Sequence, residues 1–477
     1  MACARTPDGH GGRSEDVGEF GTTTSQLLLL ADWLAGAGKD VPLADVARTL
    51  TQHRSRFKTV AAVCARDRAG AIAGLQALAA GDSAPGVVAP RQSPGAGSGV
   101  AFVYSGQGSH WAGMGRRLLA DEPVFAAAID EVEPVFVEHV GFSLKQILTE
   151  GTEIKGDAQV QPVIMAVQLG LTALWRSYGV EPDAVMGHSM GEITAAVVAG
   201  ALTTAQGIKV IARRSKVMSK MAGQGAVALV ELDAEATEAL IAGHSGVSIA
   251  GYLSPRQTVI AGPVEPVDAL IAAVSAQNKF ARRVNMEVAS HTALMDPILA
   301  ELRSALADIT PRKPSVPFLS TAVDDPALLD ADYWAANVRN PARLMQAVTA
   351  AAAENTTFIE VSAHPILTHA MGETLEPLGH HHTIGTLWRD GDDTVRFHTS
   401  LNATHTNRPP DTPHLPEPHP ALPSTPWLHD RHWVEVTRAG RTAGPAQPRG
   451  AWTDQDDVVP QDWYCQLNWP VVDLPEA

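Results

Sequence analysis

The feature that most constrains this chain is the stretch Val185-Met186-Gly187-His188-Ser189-Met190-Gly191-Glu192. An apolar, strand-like run leads into it and an Ala/Val-rich helical run follows. Gly-x-Ser-x-Gly in that setting is a nucleophile elbow, a serine held on a tight strand-to-helix turn. Glycines on both flanks suit the cramped backbone, which leaves no room for side chains. The helix after the turn aims free N–H groups and its positive dipole end at the serine oxygen, where an oxyanion would form. Ser189 is therefore a candidate covalent nucleophile, and the rest of the chain has to define what it attacks.

With 477 residues the chain has room for two or three domains, each with its own core. A net charge of −16 argues against nucleic acid or an anionic membrane as the main partner. Cys3, Cys64 and Cys465 are far apart and form no CxxC pair, which fits a reducing compartment and neither a disulfide framework nor a zinc site. The apolar run Leu27–Ala31 is broken at Asp32, too short to span a bilayer and without the flanks of a signal peptide. A cytoplasmic protein is expected.

Residues 1–21, rich in Gly, Ser and charge, read as a disordered lead-in. Helices from Ser25, over Pro42–His53 and over Asp67–Ala80, with a strand over Phe57–Cys64, make a small N-terminal α/β module; the Pro/Gly/Ser-rich Pro85–Gly99 bounds it. The strand Val100–Tyr104 then runs into the glycine turn Ser105–Ser109. Helices follow over Trp111–Leu119, Pro123–Val140 and Gln161–Gly179, a strand over Pro182–Met186, and helices over Gly191–Ala201 and Thr204–Met221. That succession predicts a parallel α/β sheet covered by helices. From Gly225 the order becomes β-α-β-β-α-β: strands at Ala226–Leu232, Val247–Tyr252, Gln257–Ala261 and Ala281–Val288, helices at Ala234–Ala242 and Val264–Asn278. This is a ferredoxin-like unit inserted at about 225–291. The larger domain resumes at Thr292–Ala307 and continues through strands at Val316–Thr321 and Phe358–Val361. Leu401–Trp427 carries eight prolines and reads as an extended connector. Its His405, His414 and His419, like His380-His381-His382, read as loop residues and not as metal ligands. The apolar Trp463–Pro470 has no obvious partner strand.

A nucleophilic serine needs a base. His188 adjoins Ser189, but neighbours on a tight turn point apart, so its role is packing or hydrogen bonding under the elbow. His291, in Val288-Ala289-Ser290-His291-Thr292, lies where the inserted unit hands the chain back, and a histidine at such a seam can overhang a cleft. No Asp stands out at a strand end to complete a triad. A Ser/His dyad works if a backbone carbonyl orients the imidazole, and Glu360–Pro365 is a candidate source of it. Arg213 and Arg214 interrupt an apolar helix. By composition they read as a solvated face; the functional alternative is a guanidinium in the serine pocket, gripping a carboxylate bidentately.

Together these pieces resemble the malonyl-type acyltransferase family, specifically the acyltransferase domain of modular type I polyketide synthases. Gly106-Gln107-Gly108-Ser109 matches the family's first motif and Gly187–Gly191 its nucleophile motif. Arg214 stands 25 residues after Ser189, as the family's carboxylate-binding arginine does, and His291 stands 102 residues after it in an Ala-Ser-His-type motif. The resemblance implies an α/β-hydrolase-like large subdomain with the ferredoxin-like small one. It implies a ketosynthase–acyltransferase linker over 1–98, the acyltransferase over 99–395, a post-acyltransferase linker over 396–435, and a tail over 436–477 similar to the start of a ketoreductase region. The wording is most like mycobacterial synthases of methyl-branched and phthiocerol-type lipids. Without ketosynthase, ketoreductase or carrier sequence, the chain reads as a fragment, expected to be monomeric.

By the same resemblance, Ser189 attacks an extender acyl-CoA and His291 takes its proton. Backbone N–H groups of Gln107 and Met190 form the oxyanion hole, and Arg214 holds the extender's free carboxylate. The acyl group then passes to the phosphopantetheine thiol of an acyl carrier protein, with no bound cofactor or metal. Gln161, His188, Val288 and Ser290 are pocket or specificity positions. Malonyl-type members carry a bulky Phe where this chain has Ser290, and Val160-Gln161-Pro162-Val163 is similar to the methylmalonyl pattern, so methylmalonyl is favoured over malonyl. Three residues depart from the family pattern: His110 for Gln, Leu253 for the small subdomain's Asn, and Met190 after the nucleophile. The alternative is a serine esterase or thioesterase on the same elbow, with no need of Arg214; a third is a non-catalytic docking scaffold that carries no acyl-Ser189.

Overall fold

The computed structural model of the chain describes residues 2–7, 24–52, 54, 59–92, 99–324, 326–379, 382–404 and 420–424. At the N-terminal end, β1 (Ala2–Pro7), β2 (Thr59–Ala65) and β3 (Val87–Gln92) form an antiparallel sheet in the order β1-β2-β3. The helices Thr24–Ala35, Leu43–Gln52 and Arg68–Ala80 accompany it, with Leu27, Leu30, Leu34, Val46, Val63 and Leu75 in a shared core. The side chain of Asp67 caps the third helix by accepting from the Gly70 N–H, and Gly81 ends it in the left-handed region at φ 77°. The expected disordered lead-in is corrected at Ala2–Pro7, which pairs along the edge of β2 that β3 leaves open. Residues 8–23 lie outside the described set, as do His380, His381, His405, His414, His419 and Trp463–Pro470. His382 is no loop residue: it opens a strand, and its Nε2 donates to the Ala403 carbonyl.

The rest of the chain carries β4 (Gly99–Tyr104), β5 (Ala184–Gly187), β6 (Ala226–Val230), β7 (Ser248–Ser254), β8 (Gln257–Gly262), β9 (Ala281–Arg283), β10 (Phe318–Leu319), β11 (Asn355–Val361) and β12 (His382–Gly385). Five of them make one parallel sheet in the order β10-β5-β4-β11-β12. β4 is a continuous apolar run, as a strand covered on both faces favours, while β11 is as deeply buried but carries Asn355, Thr357 and Glu360 among its apolar residues. One face packs on the long helices Pro123–Val140, Asp157–Ser177 and Thr204–Met218, the other on Leu344–Ala351 and Thr368–Leu375. Asp157–Ser177 is long and apolar enough to cross a membrane, yet most of it is buried in this core.

The remaining four strands form an antiparallel sheet, β7-β8-β6-β9, with helices Ala234–Ile241 and Val264–Ser275 in the connections. It is tied to the larger body at Ala342, whose N–H donates to the Ala250 carbonyl and whose carbonyl accepts from the Tyr252 N–H. The strand expected through Val288 ends at Arg283. Beyond it the chain leaves the ladder and crosses back toward the parallel sheet as irregular backbone.

The adjacent central strands β4 and β5 end level with each other, Tyr104 opposite Gly187. The helix Gly191–Val198 begins so close that a Cβ on Gly191 would collide with the Tyr104 carbonyl, and one on Gly187 with the Glu192 N–H. Gly191→Ala is expected to lose about 3 kcal/mol or more in a urea melt, since the obstacle is backbone and cannot rotate aside. Unchanged stability would contradict this close approach.

Candidate active site

Ser189 follows β5 in the left-handed region, φ 56°, a strained conformation for a residue with a side chain. It is held there by its surroundings: the Ser189 carbonyl accepts from the Glu192 N–H at 3.1 Å and from Asn337 Nδ2 at 3.0 Å. The turn presents Oγ at the start of the following helix, beside the Ser105–Gln107 loop that leaves β4. No acceptor for the backbone N–H of Gln107 or Met190 occurs among the described residues.

His291 Nε2 lies 2.8 Å from Ser189 Oγ, so the sequence's choice of histidine is the one the fold brings to the serine. His291 also has positive φ, 64°, and its backbone N–H donates to the Val338 carbonyl. Its Nδ1–H donates to the Asn340 carbonyl at 2.8 Å. This corrects the expected source, Glu360–Pro365; there the Ala363 carbonyl accepts from Trp111 Nε1 instead. Both carbonyls that hold His291 lie at the C-terminal end of the helix Ala331–Arg339, where acceptors have no helical partner and the dipole is negative. Burial, with His188 nearby, lowers the His291 pKa to about 3. The imidazole is therefore neutral at pH 7, its Nδ1–H fixed by Asn340 and its Nε2 lone pair facing the serine proton.

Arg214 is fully buried, while Arg213 is the solvated half of the pair, bound to Asp308 and the Ala305 carbonyl at the surface. Arg214 Nη1 donates to Gln161 Oε1 at 2.8 Å; Nη2 donates to Asn337 Oδ1 at 3.1 Å and reaches Ser189 Oγ at 3.3 Å. Its Nε has no partner, and no carboxylate pairs with the guanidinium among the described residues. Burial lowers its pKa to about 10, which leaves it charged at neutral pH. The result is a cation against the nucleophile, satisfied only by neutral amide and hydroxyl oxygens.

Asn337 and Glu192 carry the floor of this site, and neither was assigned a role from the sequence. Asn337 accepts from Arg214 and donates to both the Ser189 carbonyl and Glu192 Oε2, the latter at 2.8 Å. Glu192, fully buried, also accepts from Tyr333 OH at 2.7 Å and from the backbone and hydroxyl of Thr321. Burial raises its pKa, and these donors work against that rise. The signal for the His291 carbonyls was Asn340-Pro341: a proline ends a helix and leaves its last carbonyls free.

The cavity over Ser189 is lined by Gln107, Gln161, His188, Ser290 and His291, with Met190, Met218, Val227, Ala250, Val259 and Met286 as apolar walls. His188, half-buried, thus stands on the cavity wall and not under the elbow as expected; its Nε2 has no partner among the described residues, and burial lowers its pKa to about 4. Ser290 lines the cavity, but Val288 packs into the main core. Its pocket position, expected from the resemblance, is thereby corrected: past Arg283 the backbone is irregular and this side chain packs with the core.

Asn337→Asp sets a carboxylate against the Ser189 carbonyl and Glu192, and should cost ~3 kcal/mol in a denaturant melt; an unchanged midpoint would contradict the hub. Between the ordinary histidine pKa near 6.5 and about 3, the unfolded chain takes up a proton that buried His291 does not. That stability is fully present above pH 6.5 and is lost as the pH falls toward 3. For the same reason the acid limb of Ser189 reactivity should lie below pH 5 in a pH–rate profile, and a limb centred near 6.5 would overturn it.

Comparison with known proteins places this geometry. Residues 101–410 match the family model described as the acyl transferase domain, and residues 22–82 match a RhiE-like KS-MAT linker domain. One subunit of the phenolphthiocerol/phthiocerol polyketide synthase of Mycobacterium tuberculosis is 52% identical over 470 residues, covering 94% of this chain and 30% of that protein. Another subunit of the same synthase is 56% identical over 411 residues, covering 86% and 22%. The chain thus spans less than a third of the length of these relatives. Among solved structures, the acyltransferase domain of the polyketide synthase PpsC of Mycobacterium tuberculosis is 55% identical with a TM-score of 0.61, covering 67% of this chain and 98% of that one. The acyltransferase domain from module 8 of the salinomycin polyketide synthase is 38% identical with a TM-score of 0.73, covering 80% and 93%. A serine elbow, a histidine on its oxygen and a parallel α/β sheet behind them accompany these matches, and the chain belongs to the acyl transferase domain family.

Proposed function

We propose that the chain transfers a carboxylated extender acyl unit from CoA to the phosphopantetheine thiol of an acyl carrier protein through an acyl-Ser189 intermediate. The observation that carries this is Arg214, a fully buried cation 3.3 Å from Ser189 Oγ and without a carboxylate partner among the described residues. A buried charge is tolerated when a ligand of opposite charge completes it, and a guanidinium pairs with carboxylate in a two-pronged geometry. An esterase on the same elbow has no use for such a cation.

In the first half-reaction His291 Nε2 takes the Ser189 proton while Oγ attacks the thioester carbonyl. The N–H groups of Gln107 and Met190 hold the resulting oxyanion. Collapse expels CoA as its thiol, with the proton returned from His291. In the second, His291 takes the proton of the carrier thiol, the sulfur attacks the acyl ester, and Ser189 leaves with that proton. The imidazolium in both steps is stabilised by the Asn340 carbonyl. The apolar walls keep water from the ester between the two steps.

Methylmalonyl is the favoured extender: Ser290 is small where a larger side chain would fill the room for a branch. The match to a linker domain supports a synthase setting with ketosynthase and carrier protein as partners, in the cytoplasm where acyl-CoA is found. Residues 1–98 serve as that linker, 99–395 as the acyltransferase, and 396–435 and 436–477 as the following linker and tail. The parallel and antiparallel sheets are read as α/β-hydrolase-like and ferredoxin-like subdomains, and the isolated chain as a monomer.

Intact-mass measurement after incubation with methylmalonyl-CoA should show one carboxyacyl adduct, absent in Ser189→Ala; CoA release without adduct would favour a hydrolase, and no reaction a scaffold. Arg214→Ala should lose carboxylated acyl-CoAs selectively over propionyl-CoA, and an equal loss of both would sink the carboxylate clamp. Ser290→Phe should lower the methylmalonyl-to-malonyl rate ratio on the order of tenfold, the range one methyl group commands; an unchanged ratio would remove Ser290 from selectivity.

A further inference from the structure

We propose that Asp157 is a positioning residue for extender-carboxylate recognition, acting through a one-way chain of side-chain amides that ends on Arg214. This rests on the reading of Arg214 as the carboxylate grip. Asp157 opens the helix Asp157–Ser177 and is fully buried. Its Oδ1 accepts from Gln107 Nε2 at 2.9 Å. Gln107 Oε1 accepts from Gln161 Nε2 at 3.3 Å, and Gln161 Oε1 accepts from Arg214 Nη1 at 2.8 Å.

The two ends of this chain permit only one direction. A guanidinium donates and never accepts, so Arg214 requires the oxygen of Gln161. The Gln161 amino group then faces Gln107 and requires its oxygen. The Gln107 amino group in turn faces Asp157 and requires an acceptor, which the carboxyl oxygen supplies. Neither glutamine can flip without setting donor against donor inside a closed site, where an unmet polar group is costly. The chain also keeps Asp157 out of contact with Arg214. A carboxylate touching the guanidinium would occupy the face meant for substrate; one held two amides away orients the grip and leaves it open. Asp157 Oδ2 has no partner among the described residues, so no other bond competes for the orientation of the carboxyl group.

The test compares methylmalonyl-CoA with propionyl-CoA, which differ by the carboxylate, in the complete chain with an acyl carrier protein as acceptor. Asp157→Leu removes the terminal acceptor. It should raise KM for methylmalonyl-CoA on the order of tenfold, the worth of one charge-linked hydrogen bond, with kcat and the propionyl reaction changed much less. Asp157→Asn can still turn an oxygen toward Gln107 and should restore the wild-type KM. Should Asp157→Leu fail to fold, Asp157→Ala removes the same acceptor with less bulk, and should give the same KM split. Equal loss with both acyl-CoAs, an Asn variant as impaired as Leu, or no change in KM would each overturn the relay. Failure of the wild-type chain to load either acyl-CoA would instead overturn the transferase reading itself.

Discussion

Everything at this site depends on how closely the helix Gly191–Val198 packs on the end of β4. With Tyr104 backbone against Gly191 and Glu192 backbone against Gly187, the chain between them has no relaxed path. Ser189 is forced to positive φ and its hydroxyl is thrust out where the parallel strands end. Ligand sites in open α/β sheets gather at that end because the loops diverge there. The same packing puts the loop from β4 alongside, so Gln107 and Met190, from two different strand ends, line one cavity over the serine. The strain is local; the core holding it in place is spread over helices on both faces of the sheet.

The second constraint is electrostatic. Arg214 and Glu192 are both fully buried, and they do not touch. Asn337 stands between them, accepting from the cation and donating to the anion and to the Ser189 carbonyl. A direct ion pair would be quenched and closed. Separated by an amide, Glu192 is spent on Thr321, Tyr333 and Asn337, locking the helix Ala331–Arg339 to the elbow, while Arg214 has no carboxylate partner among the described residues. That helix then delivers its free C-terminal carbonyls to His291. One buried network thus sets the nucleophile's backbone, the base's tautomer and the charge beside them.

Much of this was legible in the sequence because its signals are local. The elbow, the alternation of strands and helices, and the β-α-β-β-α-β order all depend on near neighbours; the boundary expected over Pro85–Gly99 instead contains β3, Val87–Gln92, whose partner β2 lies more than twenty residues back. Arg214 was harder: the periodicity places Arg213 and Arg214 on one helix, but only the packed structure puts one in solvent and the other under Ser189. The resemblance, not the periodicity, separated them. What stayed hidden are partners supplied from far along the chain, such as Asn337 and the Asn340 carbonyl. Asp157 escaped notice because the helix was expected to start at Gln161. The helix begins about a turn earlier, at Asp157, with Pro162 inside it. Val288 was placed in the pocket by the motif it opens; past Arg283 the chain has left the ladder, and this side chain packs into the main core while Ser290 lines the cavity.

The central claim is that Ser189 and Arg214 form one acyl-loading site. The most direct measurement is a crystal structure of the protein after exposure to methylmalonyl-CoA. The account predicts density continuous with Ser189 Oγ, the thioester-derived carbonyl oxygen facing the Gln107 and Met190 N–H groups, and the free carboxylate on the Arg214 guanidinium. An acyl group on any other side chain, or an acyl-Ser189 whose carboxylate points away from Arg214, would contradict it.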